Sequence, residues 1–98
     1  MGPMKRSSVE RRLTTVSSRL RRLREELALL DEERQVVAAD AEEARVRALV
    51  AETPLTDRQA VDARRHIDTL DRRRTELAGE LERLERTQDE LLDQLGAG

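Results

Sequence analysis

The chain has 98 residues, 41% charged and 37% hydrophobic, with no Phe, Trp, Tyr or Cys. Without aromatic side chains so short a chain cannot fill a sandwich or a doubly wound sheet to native density. The lack of cysteine excludes a disulfide framework, a thiolate nucleophile and a Cys-based zinc site. Nineteen basic and 21 acidic residues leave a net charge of -2, so the whole chain is not a polycation built for nucleic acid or an anionic membrane.

More than half of the residues are Ala, Glu, Lys, Leu or Arg, the composition of long helices and coiled coil. Met1-Gly2-Pro3 before Met4 reads as an expression scar, and residues 1–6 are expected to be disordered. Ser7 and Glu10 have the spacing of a capping box, which starts a helix at about residue 8. Apolar residues then recur at alternating steps of four and three: Val9, Leu13, Val16, Leu20, Leu23, Leu27, Leu30, Val37, Ala41, Ala44, Ala48 and Ala51, with Arg34 as an interruption. This is one heptad frame.

Pro54 has no backbone donor and pushes Thr53 out of helical dihedrals. The first helix is therefore expected to end at about residue 52 and the tip to occupy 53–56, with Thr56 and Gln59 capping a second helix over about 57–95. That helix repeats at Ala60, Ala63, Ile67, Leu70, Arg74, Leu77, Leu81, Leu84, Gln88, Leu91 and Leu95. Gly96-Ala97-Gly98 ends it, and 96–98 are expected to be disordered.

A straight rod through Pro54 would put the second frame out of phase. Folded back, seam residues pair when their numbers add to 111, from Ala51 with Ala60 through Leu20 with Leu91 to Val16 with Leu95. Charge supports the fold-back: residues 1–24 carry eight basic and one acidic side chain, residues 76–95 two basic and seven acidic. The fold class expected is all-α, an antiparallel two-helix coiled-coil hairpin over residues 7–95. In this register Leu13 and Val9 have no partner within the chain, so two hairpins are expected to dimerise into a four-helix arrangement, first helices inside.

Three seam positions are polar: Arg34, Arg74 and Gln88. Glu33 and Glu80 are expected to flank Arg34, and Asp40 to flank Arg74, in a charge-satisfied belt that fixes register. Outside the seam, Val36, Val46, Leu49, Val50, Leu55 and Val61 gather around the tip and the back of the first helix, with Leu29 further down, and form the expected protein-binding surface. Lys5, Arg6, Arg11, Arg12, Arg19, Arg21, Arg22 and Arg24 form the basic concentration at the open end, with Arg19, Arg21, Arg22 and Arg24 the candidates for anion binding; without aromatic residues to stack bases, nucleic acid is the less favoured ligand.

No catalytic, cofactor-binding or metal-binding residue is expected, since two helices enclose no pocket for acid–base or nucleophilic chemistry. The lone His66 follows Asp62 by four residues, too few ligands for a metal. Gly79 falls inside a helix, away from any phosphate-binding loop. No apolar run is long enough to span a membrane and no signal peptide is present, so a cytoplasmic protein is expected. The preponderance of Arg over Lys suggests a bacterial source with a GC-rich genome.

In architecture such a hairpin resembles the N-terminal arm of seryl-tRNA synthetases, and the transcription factors that insert an acidic-tipped hairpin into the RNA polymerase secondary channel. Glu52, Asp57 and Asp62 are the acids near this tip. The function expected is a non-catalytic protein-interaction module, an adaptor, assembly factor or regulator, whose partner is another protein or a second copy. The alternative is a nucleic-acid or transcription-machinery accessory that uses the basic open end or the acidic tip.

Overall fold

The computed structural model describes residues 5–97, which form two helices, α1 (Arg6–Ala51) and α2 (Pro54–Ala97), in a helical hairpin. The sequence positions expected to be disordered at 1–4 and 98 lie outside the described residues. Arg6, Gly96 and Ala97, expected among the disordered ends, are helical.

Both helix starts differ from expectation in their capping. At α1 the Lys5 carbonyl accepts the amides of Ser8 (3.0 Å) and Val9 (3.1 Å), so Ser7 is already inside the helix. Glu10 instead takes Arg6 Nε at 3.0 Å, an i,i+4 pair that stabilises a turn only modestly. At α2 the capping residue is Thr53. Its Oγ1 accepts the Thr56 amide at 3.2 Å, and the Thr53 amide donates back to Thr56 Oγ1 at 3.2 Å. This reciprocal pattern is a capping box with Thr in the fourth place. Pro54 becomes the first helical residue, where its missing N–H is not needed and its fixed φ already suits a helix. The expected tip of 53–56 therefore shrinks to Glu52 and Thr53.

Glu52 closes α1. Its φ is 52°, and its amide donates to the Ala48 carbonyl at 3.0 Å, the single bond of a left-handed helix cap. That conformation favours Gly, because a Cβ there crowds the backbone.

The shorter connection changes the register. The chain divides into two compact units, one of Met1–Glu26 with Leu77–Gly98, the other of Leu27–Glu76. In the first, the end unit, Gln88 Nε2 donates to Ser17 Oγ at 3.2 Å. In the second, the turn unit, Arg34 pairs with Asp71 and Arg74 with Asp31. In all three pairs the numbers add to 105, so seam layers follow a sum near 104, one heptad short of the expected 111. A seven-residue shift preserves every heptad position, so the same apolar residues still face inward with different partners.

In the end unit this register sets Val9 opposite Leu95, Leu13 opposite Leu91, Val16 opposite Gln88 and Leu20 opposite Leu84. Val9, Val16, Leu20 and Leu91 form one buried cluster, with Leu13, Leu81, Leu84 and Leu95 packed against it. Val9 is only 3% exposed, so the end of the seam is matched after all. In the turn unit Val37 faces Ile67, Ala41 faces Ala63 and Ala44 faces Ala60. Only Leu30, Val37, Ala44 and Leu70 are buried there. The fully buried large side chains, Leu20, Leu77 and Leu91, all belong to the end unit, since alanines remove little area from water.

Because the chain has no native Cys, disulfide formation reads the register directly. Ser17→Cys with Gln88→Cys should cross-link readily, whereas Ser17→Cys with Leu95→Cys, roughly 10 Å further along α2 by helix rise, should not. Two backbone substitutions should raise stability in urea unfolding followed by far-ultraviolet circular dichroism. Glu52→Gly relieves the left-handed cap and should add about 0.5–1 kcal/mol. At Gly79 an added Cβ would meet only the flexible end of Arg83, at 3.4 Å, so Gly79→Ala should add about 1 kcal/mol.

Candidate interaction surface

In the turn unit the outer face of α1 carries an apolar line, interrupted at Glu43, because residues seven apart share a helix face. Leu29, Val36 and Val50 lie on one such line, with Val46 one turn before Val50. Leu49 lies to one side, and Leu55 and Val61 extend the apolar surface onto the start of α2. All seven are exposed, Val50 to 81%. Leu92 is the eighth large hydrophobic residue of this kind and lies in the end unit. Each residue of the expected protein-binding set, Val36, Val46, Leu49, Val50, Leu55 and Val61, is thus exposed on the turn unit. Leu92 departs from the expectation that the outer positions of α2 are polar.

Small residues also open a depression of about 430 Å³ on one side of this unit, floored by Ala38, Ala41 and Ala60 and edged by Arg45 and Arg64. Arg45 is not idle there: its Nε and Nη2 donate to Glu42 at 3.0 and 2.6 Å. That hydrogen bond, reinforced by the charge, holds Glu42 below the usual carboxylate range and Arg45 above its ordinary value.

Arg34 and Arg74, the charged seam positions, find acids other than those expected. Glu80 belongs to Arg19, and neither Glu33 nor Asp40 reaches the seam pair. Arg34 donates to Asp71 in the two-pronged geometry that a planar guanidinium allows, Nε to Oδ1 at 2.5 Å and Nη2 to Oδ2 at 3.2 Å. Arg74 Nε donates to Asp31 Oδ1 at 2.6 Å. Each helix contributes Asp-x-x-Arg, and each Arg takes the other helix's Asp, so the four side chains are related by a local two-fold.

The guanidinium groups are not desolvated, since these side chains are 41–50% exposed. The hydrogen bond from Arg34, helped by its charge and by those of Arg74 and Arg64, lowers the Asp71 pKa, and the aspartates raise both arginines.

Gln88, the third polar seam residue, is bonded to Ser17. At the open end Arg19 Nε donates to Glu80 at 3.1 Å and Arg24 lies 3.6 Å from Glu85. Two of the four expected anion-binding arginines are thus engaged by α2 acids, while Arg21 and Arg22 are exposed without an ion pair among the described residues. The acids near the turn, Glu52, Asp57 and Asp62, are all exposed.

Among the described residues no group of three or more His, Cys, Asp or Glu side chains could hold a metal ion. Likewise no helix of the described residues is long and apolar enough to cross a membrane. No protein family, curated protein or solved structure matches the chain.

The Arg34–Asp71 pair has a pH signature. Asp71 ionises more readily folded than unfolded, so its contribution is present above the unfolded value of about 4 and is lost as pH falls through the lower folded value. Asp71→Asn should therefore lower the urea midpoint near neutral pH. That deficit should shrink as pH falls below about 4, where the parent protein has lost the same pair.

Proposed function

We propose that the protein is a non-catalytic interaction module that binds another protein through the turn unit. The observation that carries this reading is the concentration of exposed apolar side chains: among the described residues, seven of the eight large ones lie within residues 27–76. Scattered exposed hydrophobics are ordinary. Clustering on a unit with few buried residues is less so, because these side chains could have been polar without loss to the seam. Apolar surface at helix spacing, edged by charges such as Arg47, Arg58 and Arg65, is the chemistry that receives another helix or an apolar loop. We place the module in the cytoplasm, in keeping with the absence of cysteine.

The engagement of Arg19 and Arg24 by Glu80 and Glu85 weakens the case for phosphate binding at the open end, where the field of the arginines is partly cancelled. The exposed acids at the turn are interleaved with Arg58, Arg64 and Arg65 and form no acidic patch.

Site-specific photo-cross-linking in cells tests the proposal. A photoreactive residue at Leu49 or Leu55 should give a discrete protein adduct, and one at Leu92 should give none. Equal labelling at all three positions, or adducts to nucleic acid that Arg21→Ala with Arg22→Ala removes, would overturn it.

A further inference from the structure

Among the charges on the outer face of α1 between Leu29 and Val50 are two of opposite sign, one near each end, that make no ion pair among the described residues. Glu32 and Arg47 are exposed, and neither makes an ion pair among the described residues, although Glu42, Asp31 and Asp71 nearby are all paired. At 100° per residue both lie within the apolar line of Leu29, Val36, Val46 and Val50. They lie at opposite ends of it. Glu32 follows Leu29 by three residues, and Arg47 precedes Val50 by three.

This spacing is self-complementary. When two such faces are laid antiparallel so that residue numbers across the contact add to 79, Leu29 meets Val50 of the second copy and Glu32 meets Arg47 of the second copy. A two-fold axis makes each contact occur twice. The axis passes between Ala39 and Asp40, where the small Ala39 lets the backbones approach. Glu43 falls beside Val36 of the second copy.

Neighbouring heptad registers do worse. A sum of 86 sets Glu43 against itself, and a sum of 72 sets Glu32 against Asp40 and Leu29 against Glu43. Like charges in direct opposition select against both.

Resting on the interaction reading above and naming its partner for this one face, we propose that the protein pairs with a second copy of itself through the outer face of α1. The pairing is antiparallel and centred between Ala39 and Asp40, with two Glu32–Arg47 ion pairs across the two-fold. The α1 helices lie inside and the α2 helices outside. Leu49, Leu55 and Val61 stay outside the contact and remain open to a different protein.

The test is sedimentation equilibrium of the full chain with refractive-index detection, since no aromatic residue absorbs. The mass should rise with concentration from 11.2 kDa towards twice that value. Glu32→Arg alone and Arg47→Glu alone should each move the midpoint to roughly tenfold higher concentration, because two ion pairs become two repulsions. The double variant Glu32→Arg with Arg47→Glu should return it towards the parent value. Helicity, followed in parallel, should not change for these exposed positions.

A mass of 11.2 kDa at every concentration would overturn the dimer. So would a double variant no better than either single one. Neither result touches the photo-cross-linking at Leu49 and Leu55, so the two readings fail separately. Leu49→Glu should abolish the adduct formed from Leu55, Leu55→Glu the adduct formed from Leu49, and neither should move the self-association midpoint; a large shift in that midpoint would overturn the proposed geometry.

Discussion

A two-residue connection governs this hairpin. Glu52 turns the chain by adopting a left-handed conformation, and Thr53 starts the next helix at once, so every facing pair on the two helices follows from where that reversal sits. Had the chain reversed about three and a half residues later, a shift of seven in register, the seam would still have closed apolar on apolar. Asp31, Arg34, Asp71, Arg74, Ser17 and Gln88 would then have lost their partners. The local chemistry of Thr53, Pro54 and Thr56 thus decides which residues of the two helices face each other.

The heptad pattern revealed the seam and hid the register, for one physical reason. A repeat of seven constrains which face is apolar, and any slip by a multiple of seven leaves that constraint satisfied. Leu20, Leu23, Leu77 and Leu91 were legible as core from spacing alone, and all are buried. Which of them face each other depended on the turn. There Pro54 was readable as a helix boundary, but its place just inside α2 followed from the Thr53–Thr56 exchange of hydrogen bonds. The misplaced partners of Arg34 and Arg74 descend from the same source: once the register shifts, Asp71 and Asp31 come into reach and Glu80 passes to Arg19. The exposed residues of the turn unit were legible because they fall off the seam, a matter of helix geometry that no register changes.

The polar seam shows how charge and packing divide the labour. Arg34 and Arg74 would be costly if sealed from water, and replacing such groups with apolar ones often stabilises a coiled coil. Here both side chains stay about half exposed, and each finds an aspartate from the opposite helix. An ion pair that is two-fifths exposed or more contributes little to overall stability. Its weight lies in discrimination, because a one-heptad slip would part each arginine from its present aspartate, and polar residues at seam positions are well suited to that role.

The placement of alanines along the seam also bears on the order in which contacts can form. The pairs nearest the turn close the shortest loops, yet Ala41, Ala44, Ala60 and Ala63 have little surface to remove from water. The tightly packed leucines lie in the end unit, where the Ser17–Gln88 contact spans 71 residues of chain. Closing a loop of that length is only modestly dearer than closing a short one, about 0.6 kcal/mol for each doubling, so the large reward comes late in chain separation at small extra entropy. Such a hairpin does not gain most by zipping from its bend. Its free energy falls furthest when the two remote stretches of leucine find one another, and the segment beside the bend then acts as a tether that has yet to tighten.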